Sequence, residues 1–238
     1  MKKHIPNSIT LCNLLSGCIG CIFALRGRMD AVLLCVLLSG LFDFLDGFTA
    51  RLIGAYSEIG KELDSLADDI SFGLVPAISL YSFYNSGTHI YQWLAYTALL
   101  ISAFSALRLA KFNLDERQAK SFLGMPTPAC ALLVVPLGLY AQQTTGVLHS
   151  LMISEWFIPI LSILLSFLLI CEIPMLSMKQ FGKRQKAFFA GSAVIIVACL
   201  ISVRTEVWYL HPALWLTLIF SYYILLNIIL TVFDKKSA

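Results

Sequence analysis

From Ala31 to Ala50 the chain reads AVLLCVLLSGLFDFLDGFTA, an apolar run without a basic residue that carries two carboxylates, Asp43 and Asp46, near its end. An α-helix rises about 1.5 Å per residue, so about 20 residues cross a hydrocarbon core roughly 30 Å thick. The run predicts a membrane-spanning helix with acid at one end. The rest of the chain repeats the apolar half of that message. Of its 238 residues 58% are hydrophobic and 13% charged, with mean hydropathy +0.81. Soluble proteins average roughly 45–50% apolar and about 25% charged, so a soluble globular domain is excluded. The length allows about eight spans with short loops, and a site for chemistry has to be built from helix ends. The net charge of +3 says little by itself, and no nucleic-acid partner is expected.

Runs free of Asp, Glu, Lys and Arg place helices near 8–25, 31–50, 64–84, 91–110, 123–142, 156–176, 187–203 and 211–233. The polar stretches Asn85-Ser86-Gly87-Thr88 and Gln142-Gln143-Thr144-Thr145-Gly146 turn the two longest runs into helical hairpins. The expected fold is all-α, a polytopic membrane bundle of about eight helices forming one domain over 1–238. With eight spans, Lys2, Lys3, Arg51, Lys61, Arg108, Lys111, Arg117, Lys120, Lys179, Lys183, Arg184, Lys186, Lys235 and Lys236 share one side, which is 14 of 17 basic residues. Arg26, Arg28 and Arg204 fall on the other. The positive-inside rule puts both termini in the cytoplasm. Trp93, Trp156, Trp208 and Trp215 read as anchors at the opposite interface. The first segment reads as an uncleaved helix, since no A-x-A-like site follows it. The seven cysteines, including the Cys18-x-x-Cys21 pair, read as small hydrophobes, because no His or Asp stands near the pair to complete a metal site. The four histidines are scattered. The polar stretches 112–122 and 177–186 read as solvated loops.

Acidic residues inside membrane segments are costly and mark function. Asp43 and Asp46 close the second span; Asp64, Asp68 and Asp69 open the third. Asp43 and Asp46 at i, i+3 share a helix face, and so do Asp64 and Asp68 at i, i+4. A loop over 51–63 lets the helices run antiparallel and brings four carboxylates together. Such a cluster cannot stay fully charged and unpaired in a half-buried site, so either carboxylates remain protonated or cations are bound. Carboxylate oxygens suit Mg²⁺, Mn²⁺ or Ca²⁺ rather than Zn²⁺. Gly47, Ala50 and Gly60 leave room for a bulky ligand, and Arg51 offers donors suited to phosphate. The plainer reading of Arg51 is a cytoplasmic helix end paired with an Asp. Together these residues suggest a metal-bound phosphoanhydride.

The string Asp43-x2-Asp46-Gly47-x2-Ala50-Arg51-x8-Gly60-x3-Asp64-x3-Asp68 holds eight fixed residues across 26 positions. It resembles, at every fixed position, the signature of the CDP-alcohol phosphotransferase family. The resemblance implies a membrane enzyme that binds a CDP-linked alcohol and two divalent cations on the cytoplasmic side, transfers the phosphoalcohol to a hydroxyl and releases CMP. It implies metal ligation by Asp43, Asp46, Asp64 and Asp68, with Asp68 also as general base. It implies CDP-lipid contacts at Gly47, Arg51 and Ser57 and along Pro6-Asn7-Ser8-Ile9, beside Ala50 and Gly60; as sequence alone, Ser57 and Asn7 are ordinary caps. Three further stretches, residues 64–77, 107–113 and 122–129, resemble the phosphatidylserine synthase branch. The resemblance is strong over about 5–140, the expected core, with additional spans over 150–233. It also implies a homodimer in the cell (inner) membrane.

On that resemblance the substrates are CDP-diacylglycerol and L-serine. Arg108 and Lys111, one turn apart, are expected to meet the serine carboxylate; the plainer reading anchors that helix end at the headgroups. Asp69 is a candidate for the serine ammonium. Metal-assisted deprotonation stands as the alternative to Asp68 as base. Two other functions compete with this one. A different acceptor, glycerol 3-phosphate or an inositol phosphate, would want more convergent basic residues. A divalent-cation transporter would place its site near the midplane and repeat it in a second half, and residues 120–238 hold no counterpart of the Asp cluster.

Overall fold

A computed structural model of the chain describes residues 4–115, 122–145, 147–176, 183–205 and 212–237. The fold is all-α apart from one two-residue strand pair. Helices α1 (His4–Leu25) and α2 (Met29–Ile53) form an antiparallel hairpin through Gly27, whose φ of 69° makes the turn. α3 (Glu58–Asp68) runs without a break through a π-helical segment, Asp69–Leu74, into α4 (Val75–Asn85). A 3₁₀ segment, Gln92–Leu99, leads into α5 (Leu100–Leu114). Then follow β1 (Phe122–Leu123), α6 (Thr127–Gln143), the short α7 (Val147–Met152), α8 (Phe157–Ile170), β2 (Pro174–Met175), α9 (Lys183–Thr205) and α10 (Pro212–Ser237).

Among the described residues four helical stretches are long and apolar enough to cross a membrane: His4–Leu25, Met29–Ile53, Gln92–Leu114 and Ala213–Val232. Phe157–Ile170 and Gln185–Leu200 are apolar but shorter. Loops that the sequence puts at one end do meet. Gln142 Nε2 donates to the Gly27 carbonyl at 2.6 Å, and the Tyr91 amide donates to Glu155 at 2.7 Å. Lys61 Nζ and the Asn113 carbonyl meet at 3.2 Å at the acidic end of the bundle. Trp93 and Trp156 are exposed and Trp215 is half-buried; Trp208 lies outside the described residues, as do 116–121 and 177–182 of the two polar loops. All seven cysteines are unpaired.

The structure corrects several boundaries. α1 begins at His4, earlier than residue 8, because Pro6 is tolerated in a first turn where its missing N–H costs nothing. The 51–63 connection contracts to residues 54–57: Gly54, at φ 61°, caps α2 in the left-handed conformation, and the Ser57 hydroxyl caps α3 by accepting from the Gly60 amide at 3.0 Å. Helices expected over 123–142 and 156–176 give way at one end to strands, with Phe122 opposite Met175 and Leu123 opposite Pro174. Gly124 lies at φ 76° against the Leu169 and Cys171 carbonyls, so the chain folds over the end of α8 instead of continuing it, and the Met125 amide binds the Leu168 carbonyl at 2.9 Å.

Burial follows the membrane-protein pattern of small and polar residues inside and large apolar ones outside. In α1 the buried stripe is Pro6, Thr10, Asn13, Ser16, Gly17, Gly20 and Ala24, while Leu11, Leu15, Ile19 and Ile22 face outward. α6 is apolar on every face and sits at the centre, between the cluster it forms with α1, α2 and α4 and the larger one it forms with α4, α5, α8 and α10. A Cβ at Gly17 would overlap the Ser71 hydroxyl and come within 2.9 Å of the Ser71 Cα, so α1 touches the π segment backbone to backbone. Gly17→Ala is expected to cost about 1–3 kcal/mol in thermal unfolding of the detergent-solubilised protein. Gly40→Ala, whose nearest neighbour is a Phe72 ring carbon at 4.0 Å, is the matched control and should shift the midpoint little.

Candidate active site

α2 and α3, joined by the short 54–57 connection, both pack against α1, and this brings the acids together. One carboxylate oxygen from each of Asp43, Asp64 and Asp68 lies within 4.8 Å of the others. All three side chains are half-buried, and Asp64 Oδ1 is buried with no hydrogen-bond partner. No basic side chain among the described residues forms an ion pair with Asp43, Asp46, Asp64 or Asp68. The set fits a hard divalent cation. Oxygens bound at about 2.1–2.4 Å on opposite sides of an ion stand about 4.2–4.8 Å apart, and the buried orphan oxygen is what such an ion would satisfy.

Asp46 stands outside that trio. It is buried on the neighbouring turn, where Thr10 Oγ1 of α1 donates to its Oδ2 at 2.6 Å. Asn13, fully buried one turn further along α1, donates from Nδ2 to Asp68 Oδ1 at 3.2 Å. The Asn13 carbonyl in turn accepts from the Ser71 hydroxyl at 3.1 Å and the Ser39 hydroxyl at 3.3 Å, which ties α1 to both acid-bearing helices. Asn13 Oδ1 is left buried without a partner. Neither Thr10 nor Asn13 belongs to the signature string, yet the sequence does carry a signal for them. Thr10, Asn13 and Ser16 recur every third residue in an otherwise apolar span, the mark of a polar helix face turned inward.

Beside the acids a cavity of about 230 Å³ opens between α1, α2 and α3. Asn7, Gly47, Ala50, Ser57 and Gly60 line it together with Asp46 and Asp64, so most of the residues expected to touch a CDP-lipid converge. Pro6, Tyr56 and Lys61 complete much of the wall. Asn7 is a helical residue of α1 rather than a cap, and a Cβ at Gly60 would lie 3.0 Å from its Oδ1. Ser57 is both cap and wall. Arg51, Ser8 and Ile9 do not line the cavity: Arg51 is exposed, Ile9 is half-buried, and the Ser8 hydroxyl turns back to the His4 carbonyl at 2.8 Å.

The residues expected for serine divide between two places. Arg108, 6% exposed, and Lys111 line a separate cavity of about 460 Å³ beyond α5. The Arg108 guanidinium lies over the Phe112 ring at 5.7 Å. Asp69 begins the π segment and turns toward Ser105 of α5, and both side chains crowd the space a Cβ on Gly73 would need. The π segment has no counterpart among the expected elements; single π turns carry no reliable sequence mark but recur at functional sites.

The sequence model of the CDP-alcohol phosphatidyltransferase family matches residues 3–168. The chain belongs to that family. It is similar to the CDP-diacylglycerol–serine O-phosphatidyltransferase of Mycobacterium leprae, 34% identical over 215 residues that make up 86% of this chain and 69% of the relative. The enzyme of the same name in Methanocaldococcus jannaschii is 34% identical over 79% of each chain. That of Bacillus subtilis is 33% identical over 64% of this chain and 88% of its own. The family match spans the cluster, the 230 Å³ cavity and Asn13 alike.

Cation binding can be read without turnover. A ligand present at about 100 times its dissociation constant stabilises the folded state by about 2.7 kcal/mol. Mg²⁺ or Mn²⁺ is therefore expected to raise the unfolding midpoint of the chelator-stripped protein by several degrees, and Asp64→Asn to remove most of that rise. An equal rise in Asp64→Asn places the ion elsewhere.

Proposed function

We propose that the chain transfers the phosphatidyl group of CDP-diacylglycerol to the hydroxyl of L-serine, giving phosphatidylserine and CMP. The observation that carries this reading is the convergence of Asp43, Asp64 and Asp68 at the edge of a cavity lined by Asn7, Gly47, Ala50, Ser57 and Gly60. The serine-transferring relatives, similar over most of the chain, support L-serine as the acceptor. In the same proposal residues 1–238 form one multi-pass domain of eight spans in the cell membrane, with a core over about 5–140. Both termini and the site face the cytoplasm, a placement supported by the 14 of 17 basic residues on that side. The homodimer implied by the family resemblance belongs to it as well.

In this mechanism the cytidine diphosphate occupies the cavity between α1, α2 and α3, where the small side chains of Gly47, Ala50 and Gly60 let it approach the backbone. The acyl chains stay in lipid. Asp43, Asp46, Asp64 and Asp68 would hold two divalent cations, Mg²⁺ or Mn²⁺. Bound there, the cations supply Lewis-acid polarisation of the diphosphate and neutralise the charge that departs with CMP. Asp68 accepts the proton of the serine hydroxyl as its oxygen bonds to the β-phosphorus. The bond from that phosphorus to the bridging oxygen breaks, and the electron pair leaves on CMP. Asn13 fixes which Asp68 oxygen is free to take the proton. Arg108 and Lys111 meet the serine carboxylate.

The test is CMP release by purified protein given CDP-diacylglycerol, Mg²⁺ or Mn²⁺ and a panel of acceptors. Serine-dependent release should fall at least about 10²–10⁴-fold in Asp68→Ala, the usual worth of a general base. Reaction with glycerol 3-phosphate but not serine would leave the family and remove the acceptor. Metal-driven ion flux without CMP would remove the enzyme reading. Asn13→Ala, which deletes one hydrogen bond to a carboxylate, is expected to lower kcat about 10-fold while leaving the KM for CDP-diacylglycerol within about twofold.

A further inference from the structure

The 460 Å³ cavity has two halves of different origin. Arg108, Lys111 and Asp115 come from α5 and its end, and Leu123 from β1. The facing wall is Leu169–Glu172, which begins one residue past the stretch that the family model matches. That wall is held from α10, further still beyond the match. Asn227, fully buried, accepts the Leu176 amide on Oδ1 at 2.9 Å, and the Tyr223 hydroxyl donates to the Leu176 carbonyl at 3.1 Å. On the other side the Gly124 amide binds the Ile173 carbonyl at 3.0 Å, and β1 pairs with β2. Residues 171–176 are thus a strap fixed along both edges.

The cavity is also of mixed sign. Arg108 lines the cavity, is more than nine-tenths buried and has an Nε without a hydrogen-bond partner, so a desolvated cation is already part of its wall. Asp115 and Glu172 bring carboxylates to the same space, where each also has an interaction within the chain. A ligand with only phosphate to offer would meet Arg108 and Lys111 but be repelled by both carboxylates. A zwitterion with its two charges a few bonds apart meets both signs favourably.

Building on the serine reading above, we propose that this cavity is the amino-acid subsite: Arg108 takes the carboxylate, and Glu172, on the strap, takes the ammonium and sets the preference for an amino acid over a phosphorylated acceptor. Glu172 rather than Asp115 is assigned because the strap that carries it is pinned by Asn227 and Tyr223, whereas Asp115 ends its helix. Asp69, turned toward Ser105 and absent from the cavity wall, is not needed for the ammonium.

The test measures CMP release by the full chain with L-serine and with 3-hydroxypropionate, which keeps the hydroxyl and carboxylate and lacks the amine. Loss of a charge-assisted hydrogen bond is expected to raise the KM for serine about 10–100-fold in Glu172→Gln. The KM for CDP-diacylglycerol should stay within about twofold, and Glu172→Asp should recover part of the loss. The wild-type preference for serine over 3-hydroxypropionate should collapse in Glu172→Gln. Glu172 is exposed, so the variant's unfolding midpoint should match the wild type and tie any change to binding. A serine KM and a preference both unchanged in Glu172→Gln overturn the proposal, as does a collapse seen only in Asp115→Asn; in either case the wild type still uses serine and the function stands. A wild type that releases CMP with glycerol 3-phosphate and not with serine overturns the function and this subsite together.

Discussion

Mutual repulsion among carboxylates is the constraint on which the rest of this bundle turns. Two helix ends carry Asp43, Asp46, Asp64 and Asp68, and no basic side chain among the described residues pairs with any of them. Water and counter-ions are scarce at the edge of an apolar bundle, so such charges need fixed partners. α1 supplies two: Thr10 for Asp46 and Asn13 for Asp68. Those bonds require α1 to lie very close to α2 and α3, and its inward stripe of Ser16, Gly17 and Gly20 permits that. Ser16 reaches the Cys35 carbonyl at 2.9 Å, and no side chain intervenes at Gly17. The oxygens that these hydrogen bonds leave unsatisfied, above all the orphan on Asp64, create the demand for a cation. The small residues of the first helix and the acidity of the second and third are therefore one adaptation.

The π segment after Asp68 belongs to the same arrangement. An α-helix advances 100° per residue, so Asp68 and Asp69 leave the axis on different faces. The wider π turn then resets the phase of the residues after it, so that Ser71 meets α1 while Gly73 meets Ser105 of α5. Neighbouring acids thereby acquire separate surroundings. Asp68 joins the cluster with Asn13, and Asp69 turns toward α5.

Much of this is legible from residues alone, and the limits have physical causes. The acid pairs at i, i+3 and i, i+4 and the small residues between them are local patterns, and helix geometry places local patterns correctly. Asn7 and Ser57 are reachable only through a family resemblance, because a hydroxyl or amide near a helix start is by itself no more than a cap; Ser57 in fact caps α3 and lines the cavity at once. Thr10 and Asn13 show in the sequence only as members of a polar stripe, and their roles stay hidden because their partners are 36 and 55 residues away and hydropathy averages out single polar residues in an apolar span. The helix ends expected near 123 and 176 are misplaced since an apolar run does not say whether it stays helical. There Gly124, in the left-handed region, and the pairing of β1 with β2 decide the matter.

The two cavities share no lining residue. One is walled by α1, α2 and α3 and carries five of the eight fixed positions of the signature, Asp46, Gly47, Ala50, Gly60 and Asp64; the other lies against the ends of α5 and α8. Displacement at phosphorus needs the attacking and leaving oxygens roughly in line on opposite sides, and a reaction between two substrates held in separate compartments meets that need without either crossing the other's path. The division also separates what a family must share from what its members must vary. The residues proposed to hold the donor and its cations sit wholly inside the matched stretch, 3–168. In the proposed reading the acceptor lies in the other compartment, one wall of which is built from residues 169–172 and braced by a helix outside the match. Selectivity placed on a strap can change through a few side chains while Asp43, Asp64, Asp68 and the hydrogen bonds that orient them stay as they are.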